Sequence, residues 1–395
     1  MQREWVNWSG SVRFQPSRVE KPKDEAQLME AIRRAAAEGC CVRPVGALHS
    51  SSSIIQADDV LVSLENLKGL VTSNRQACEA TVLPGTLIRE AGKALRNVGL
   101  AMHIVGDIDT QSLAGAIATG THGSGRHFKN LATMLIGGRL VTASAEVIAF
   151  SEENDPQLVR ALRCSLGGLG ILSELRLRLL PAYRLHRREW CCHVDDCLAN
   201  LDELIDGSRN FDFYWYPRSD EVKLRTLDAP GEGPEKLPYA RLLSEQEGWA
   251  DEVIAQRRDL KFDETEFAMP AEAGPTCFRE LRERIKEHHR LRVGWRVLYR
   301  MVAADDAYLS TAHGRQTVTI SAHHNAGLPF DEYFTDIAAI CLAHGGRPHW
   351  GKKHNLKAAQ LRSLYPMWDD YQALRRRLDG KGMFLGPQLR ALLED

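Results

Sequence analysis

Apolar positions along this chain switch repeatedly between a period of three to four residues and a period of two, the signatures of helix and strand. Asp24 followed by Gln27 reads as a capping box for a helix to about Glu38. Leu28, Ile32 and Ala35 lie on its apolar face, and Gly39 is a stop. A short apolar strand, 40–45, follows, then strands near 59–62 and 80–83. Pro84-Gly85 turns into a helix carrying Leu87, Ile88, Ala91, Leu95 and Val98, closed by Gly99. One strand is expected over 141–150 and another over 171–180, with Pro181 closing this portion. This alternation predicts an α/β or α+β domain.

The pattern changes after Pro181. Residues 183–227 alternate charged and aromatic positions, with 211–216 as a strand. A Gly/Pro-rich loop is expected over 228–240. The charged stretches 244–261 and 276–289 read as helices. Strands are predicted over 294–302 and 316–323, an amphipathic helix over 329–343 and a last helix around 368–378. No internal repeat of useful length is present.

With 395 residues, 44% apolar and 26% charged, the chain has the makeup of a soluble two- or three-domain protein. A net charge of −1 gives no reason to expect nucleic acid as a partner. No apolar run is long enough to span a bilayer. The N-terminus has no apolar leader segment. Nine cysteines, an odd number with two adjacent pairs, point to reduced thiols and a cytoplasmic setting.

Two small-residue loops stand out. The first is Val45-Gly46-Ala47-Leu48-His49-Ser50-Ser51-Ser52; the second is Ala118-Thr119-Gly120-Thr121-His122-Gly123-Ser124-Gly125. Small residues allow close backbone approach to a ligand, and free N–H groups in a turn bind anions. The first loop alone could be a Ser-rich surface loop. Two loops of the same makeup suggest one extended, phosphate-bearing ligand lying across both. Residues 106–125 are too small to fill a core and are expected to line a site. The chain has no Gly-x-Gly-x-x-Gly after a strand, no phosphate-binding P-loop motif and no His-Glu-x-x-His. Cys191-Cys192-His193 with Cys197 matches no common zinc spacing.

Taken in order, Gly46-x-x-His49-Ser50, the 107–125 segment, Gly167-Gly168-Leu169-Gly170-Ile171 and Arg347-Pro348-His349-Trp350-Gly351-Lys352 resemble the vanillyl-alcohol-oxidase-type flavoproteins. Within them, the chain resembles the sugar-lactone and alditol oxidase branch. The resemblance implies an α+β fold of two domains: an FAD-binding domain of residues 1–181, completed by the tail 355–395, and an antiparallel-sheet cap of residues 182–354. It implies FAD as cofactor, with Val45 to Ser51 at the pyrophosphate and His49 as the site of covalent flavin attachment. Gly106, Asp107, Ser112, Gly115, Thr119, Gly120, Thr121, His122 and Gly123 would line the flavin, with Gly170 and Ile171 at the adenine. Arg300 and Lys352 match the branch's cations at the reacting centre. His323, His349 and His354 are further polar candidates, and Ser112 would lie near the reactive face.

The activity implied is oxidation of a CH–OH group of a small polyol, aldonolactone or related sugar derivative, with electrons passed to O2 or another acceptor. Two positions depart from the branch. Leu48 replaces the second glycine of Gly-x-Gly-His, and Leu298 stands where an acidic residue two positions before Arg300 is usual. Two other readings stay open: a non-catalytic flavin-binding protein, and a flavoenzyme for a larger or aromatic alcohol contacted by Trp215, Tyr216 and Tyr299.

Overall fold

The structure, a computed structural model, describes residues 4–255 and 260–394. The first helix is Glu25–Glu38, with the Asp24 carboxylate accepting from the Gln27 N–H and Gly39 closing it at φ 68°. Its Glu25 takes two hydrogen bonds from Arg139, at 2.7 and 2.8 Å, and one from Ser173 at 2.6 Å. These bonds tie the helix to a five-stranded antiparallel sheet.

That sheet runs, in spatial order, Val147–Ser151, Leu135–Val141, Ile171–Arg178, Glu79–Val82 and Leu70–Asn74. The single strand expected over 141–150 is therefore a hairpin of two, turning through the Thr142–Glu146 segment. Leu70–Asn74 escaped the sequence reading because its side chains are almost all exposed. A bulge at Ser173 bends the Ile171–Arg178 strand toward its neighbour. Gly138 faces this bulge at φ 149°, where a Cβ would lie 2.1 Å from the Glu174 carbonyl oxygen.

A three-stranded parallel sheet, Arg18–Glu20, Val60–Ser63 and Val42–Val45, delivers the chain into the first small-residue loop. The tail returns to this region. The Val42 N–H donates to the Met383 carbonyl at 2.8 Å, and the Tyr371 hydroxyl to the Ser165 carbonyl at 2.7 Å.

The third large element is an eight-stranded antiparallel sheet. Its order is Arg241–Trp249, Arg184–His193, Glu221–Asp228, Asn210–Tyr216, Val297–Val302, Thr317–Asn325, Phe262–Pro270 and Arg347–Pro348. The helix read over 244–261 is corrected: 241–249 is an edge strand, 250–253 one helical turn, and 256–259 lie outside the described residues. An edge strand solvated on both faces has no apolar alternation to reveal it. Helices Gly274–Arg284 and Asp331–Ala343 pack against this sheet. The Cys191-Cys192-His193 stretch is ordinary strand, and His193 caps the helix that follows. All nine cysteines are free thiols.

The second small-residue loop is stitched to the eight-stranded sheet. The Gly125 N–H donates to the Met301 carbonyl at 2.9 Å, and Asn210 Nδ2 to the Ser124 carbonyl at 2.5 Å. No helix among the described residues is long and apolar enough to cross a membrane.

Gly138→Ala should destabilise the fold by about 2–4 kcal/mol, because a side chain there meets both a forbidden φ and a backbone oxygen. Thermal unfolding followed by circular dichroism measures this, and an unchanged midpoint would contradict the strain.

Candidate active site

Two cavities meet at His49 and Ser50. The first, about 810 Å³ including its mouth, lies between the parallel sheet, the Leu113–Ala118 helix and the 165–172 turn. Val45, Gly46, Ala47, Leu48, His49 and Ser50 form one wall. Ser112, Gly115 and Thr119 form a second, and Gly170 and Ile171 close the far end. Gly46 has to be glycine, because a Cβ there would sit 1.7 Å from Ser112 Oγ. Leu48 takes φ 55°, the left-handed backbone that a glycine adopts freely. Holding a leucine there costs about 1 kcal/mol of strain.

Two buried groups in this cavity lack partners. Arg43 Nε and Nη1 make no hydrogen bond, and burial pulls the guanidinium down to about 10. His49 Nδ1 is likewise unpartnered, while its Nε2 lies 2.7 Å from the Thr110 hydroxyl. Burial, and then the Lys352 charge, push His49 down to about 4, so its ring is neutral at pH 7. A hollow with small-residue walls, an unsatisfied guanidinium and an unsatisfied imidazole nitrogen fits a dinucleotide with a pyrophosphate. FAD fits the residues present.

The second cavity, about 710 Å³ including its mouth, lies under the eight-stranded sheet. Gly106, Asp107, Thr119, Thr121 and His122 line it from the loop side. Arg296, Leu298, Arg300, His323 and Lys352 line it from the sheet side. Two carboxylates that the sequence reading missed, Glu264 and Glu266, complete it. They alternate on Phe262–Pro270, a strand buried along its length. Acidic residues in a buried strand break the apolar alternation, so the sequence reading named no strand here.

Each carboxylate is held by cations. Glu266 accepts from Arg300 at 2.9 Å and from Ser321 Oγ at 2.6 Å. The His122 Nε2 lies 2.5 Å from its other oxygen. Burial opposes its ionisation, but Arg300 and His122 hold it well below the usual carboxylate range. Glu264 pairs with Lys352 Nζ, and His323 Nε2 stands 3.5 Å from its second oxygen. Burial again opposes the charge, and Lys352 and His323 outweigh it, so this carboxyl is also lowered. His323 Nδ1 is 3.0 Å from the Arg296 carbonyl, which assigns the proton to Nδ1 and leaves Nε2 facing the cavity. Burial drives His323 to about 4 and His349 to about 3.

Four expected residues line neither cavity. Ser51 is buried, with its N–H on the Gly351 carbonyl. Gly120 backs onto Cys164, and Gly123 onto Ile104 and Val105. His354 lies against Trp350, with both ring nitrogens unpartnered and burial holding it near 4. The aromatics proposed for a larger substrate also lie elsewhere. Tyr299 stacks on Phe213 at 4.9 Å and Trp215 packs edge-on against Phe278, both inside the core.

Residues 175–245 and 235–392 match the D-arabinono-1,4-lactone oxidase family, and residues 16–151 match an FAD binding domain. L-gulono-1,4-lactone dehydrogenase of Mycobacterium tuberculosis is 34% identical over 98% of this chain and 99% of its own length. The chain belongs to the D-arabinono-1,4-lactone oxidase family. It is an FAD-dependent oxidoreductase acting on CH–OH groups. A more distant relative, L-gulonolactone oxidase of Scyliorhinus torazame, is 24% identical over 98% of this chain and 97% of its own. The fold is that of the vanillyl-alcohol-oxidase-type flavoproteins. A solved cholesterol oxidase of B. sterolicum superposes with a TM-score of 0.86 at 14% identity, covering 100% of this chain and 97% of that one. Xylooligosaccharide oxidase from Myceliophthora thermophila gives 0.82 at 16% identity, covering 99% and 94%.

The buried neutral histidines set a pH signature. His49, His323 and His354 titrate near 4 when folded, against about 6.5 in an unfolded chain. Below pH 6.5 the unfolded chain binds the extra protons, so stability falls as pH drops from 6.5 toward 4. Melting temperatures measured across pH 4 to 8 should be flat above 7 and decline steadily below 6.5.

Proposed function

We propose that this family member oxidises a CH–OH group of an aldonolactone or related small sugar derivative. We further propose that its FAD is attached covalently through His49. The supporting observation is the convergence of Arg300, Lys352 and His323 on one cavity that opens, at His49, into the small-residue cavity fitted to FAD. When bound, FAD supplies the hydride acceptor.

The protein's own groups do the rest. Arg300, fixed by Glu266, and Lys352, fixed by Glu264, hold positive charge where a substrate oxygen becomes anionic. His323 Nε2 is the candidate acceptor for the hydroxyl proton, and Glu264 stabilises the imidazolium that results. His49 offers Nδ1 as the linking atom, since Nε2 is engaged by Thr110.

The remaining assignments are ours on the same footing. Residues 1–181 with 355–395 form the flavin-binding unit and 182–354 the cap, electrons pass to O2 or another small acceptor, and the nine free thiols fit a cytoplasmic setting. The catalytic and cofactor roles given to individual residues belong to this proposal too.

Acid precipitation tests the covalent bond. Yellow colour should stay in the wild-type pellet and leave with the supernatant in His49→Ala. Colour in both supernatants would remove the bond and leave the oxidoreductase intact. Anaerobic mixing with L-gulono-1,4-lactone should bleach the flavin. Lys352→Met and Arg300→Met should slow that bleaching by about 10²–10³-fold while the flavin stays bound. Equal rates in all three proteins would refute the roles given to these cations.

A further inference from the structure

Arg296, Leu298 and Arg300 alternate along one strand and its lead-in, so all three side chains face the substrate cavity. Among the described residues, Arg300, Lys352 and Arg225 have carboxylate partners. Arg300 lies on Glu266 at 2.9 Å, Lys352 on Glu264, and Arg225, just behind the wall, on Asp212 at 2.6 Å. Arg296 has none among the described residues. Its Nε is buried without a hydrogen bond, and its guanidinium lies 4.3 Å from the centroid of the Tyr214 ring.

A guanidinium resting on an aromatic face keeps its donors at the edge of the plane, where they suit a carboxylate's two oxygens. Leu298, between the two arginines on the same face, is uncharged and offers neither of them a carboxylate. Position matters as well. Arg300 contacts the His122 carbonyl, at the small-residue loop, whereas Arg296 follows the partly exposed Trp295. The two arginines are four residues apart, about 13 Å between Cα atoms in an extended chain. Arg296 therefore marks the end of the cavity away from the small-residue loop.

We propose that Arg296 receives a carboxylate of the substrate. The site then takes a sugar acid derivative whose carboxylate lies at the end remote from the oxidised carbon. This rests on the function proposed above for the same cavity.

The test uses the full-length, flavin-loaded protein as wild type, Arg296→Met and Arg296→Lys. Glutarate, a dicarboxylate with no hydroxyl to oxidise, is titrated against the flavin absorbance. It should perturb the wild-type spectrum, with its Kd raised about 10- to 100-fold in Arg296→Met and less in Arg296→Lys, which keeps the charge but loses the fork. In parallel, anaerobic flavin reduction is compared for L-gulono-1,4-lactone and D-glucaro-6,3-lactone, the same ring ending in CH2OH or in a carboxylate. The wild type should favour the carboxylate. Arg296→Met should cut the ratio of the two kcat/KM values by about 10- to 100-fold, through KM.

No response to glutarate, the same Kd in all three proteins, or an unchanged ratio would overturn the proposal. So would a response to inorganic phosphate alone. Glutarate binding that depends on Arg296, with neither lactone reducing the flavin, supports the carboxylate site and instead refutes the lactone reading.

Discussion

Two carboxylates buried under the eight-stranded sheet set the terms for everything around them. Glu266 is 1% exposed and Glu264 7% at the side chain, and neither could stay charged there without cations held at hydrogen-bond distance. Arg300, Lys352, His122 and Ser321 occupy their positions because those charges need them. The partners come from four separate segments of the chain. The pairing therefore draws the second small-residue loop, the middle strands of the sheet and the 347–352 turn onto one point. A cavity whose polar groups are fixed this way is preorganised, with no solvent rearrangement needed as charge develops.

The cofactor cavity obeys a different constraint, that of space. Gly46 and Ser112 approach so closely that no side chain fits between them, and Leu48 bends into a backbone conformation that its Cβ resists. Both features bring main chain, not side chain, to the cavity wall. They explain why the first loop is so poor in large residues.

These two constraints differ in how far they can be read from sequence. Local rules located the Glu25–Glu38 and Trp368–Leu378 helices and the strand leading into the first loop, because caps and apolar periods are written in neighbouring residues. The small-residue loops were equally plain. The strand carrying Glu264 and Glu266 was not, because its acids are satisfied by groups up to 144 positions away. The edge strand 241–249 failed for the opposite reason, since solvent on both faces removes any alternation. Arg296 was hidden too, because a lone arginine near the start of a strand looks like any solvated one until its neighbours are known.

The Arg43 guanidinium is buried at the cofactor cavity with two nitrogens unpartnered by protein groups. Folding takes this cation out of water, where an unfolded chain leaves it, and that desolvation costs stability. Ligand that binds only the native form then shifts the folding equilibrium by mass action. A dinucleotide whose pyrophosphate met this cation would therefore stabilise the fold as well as equip it for chemistry.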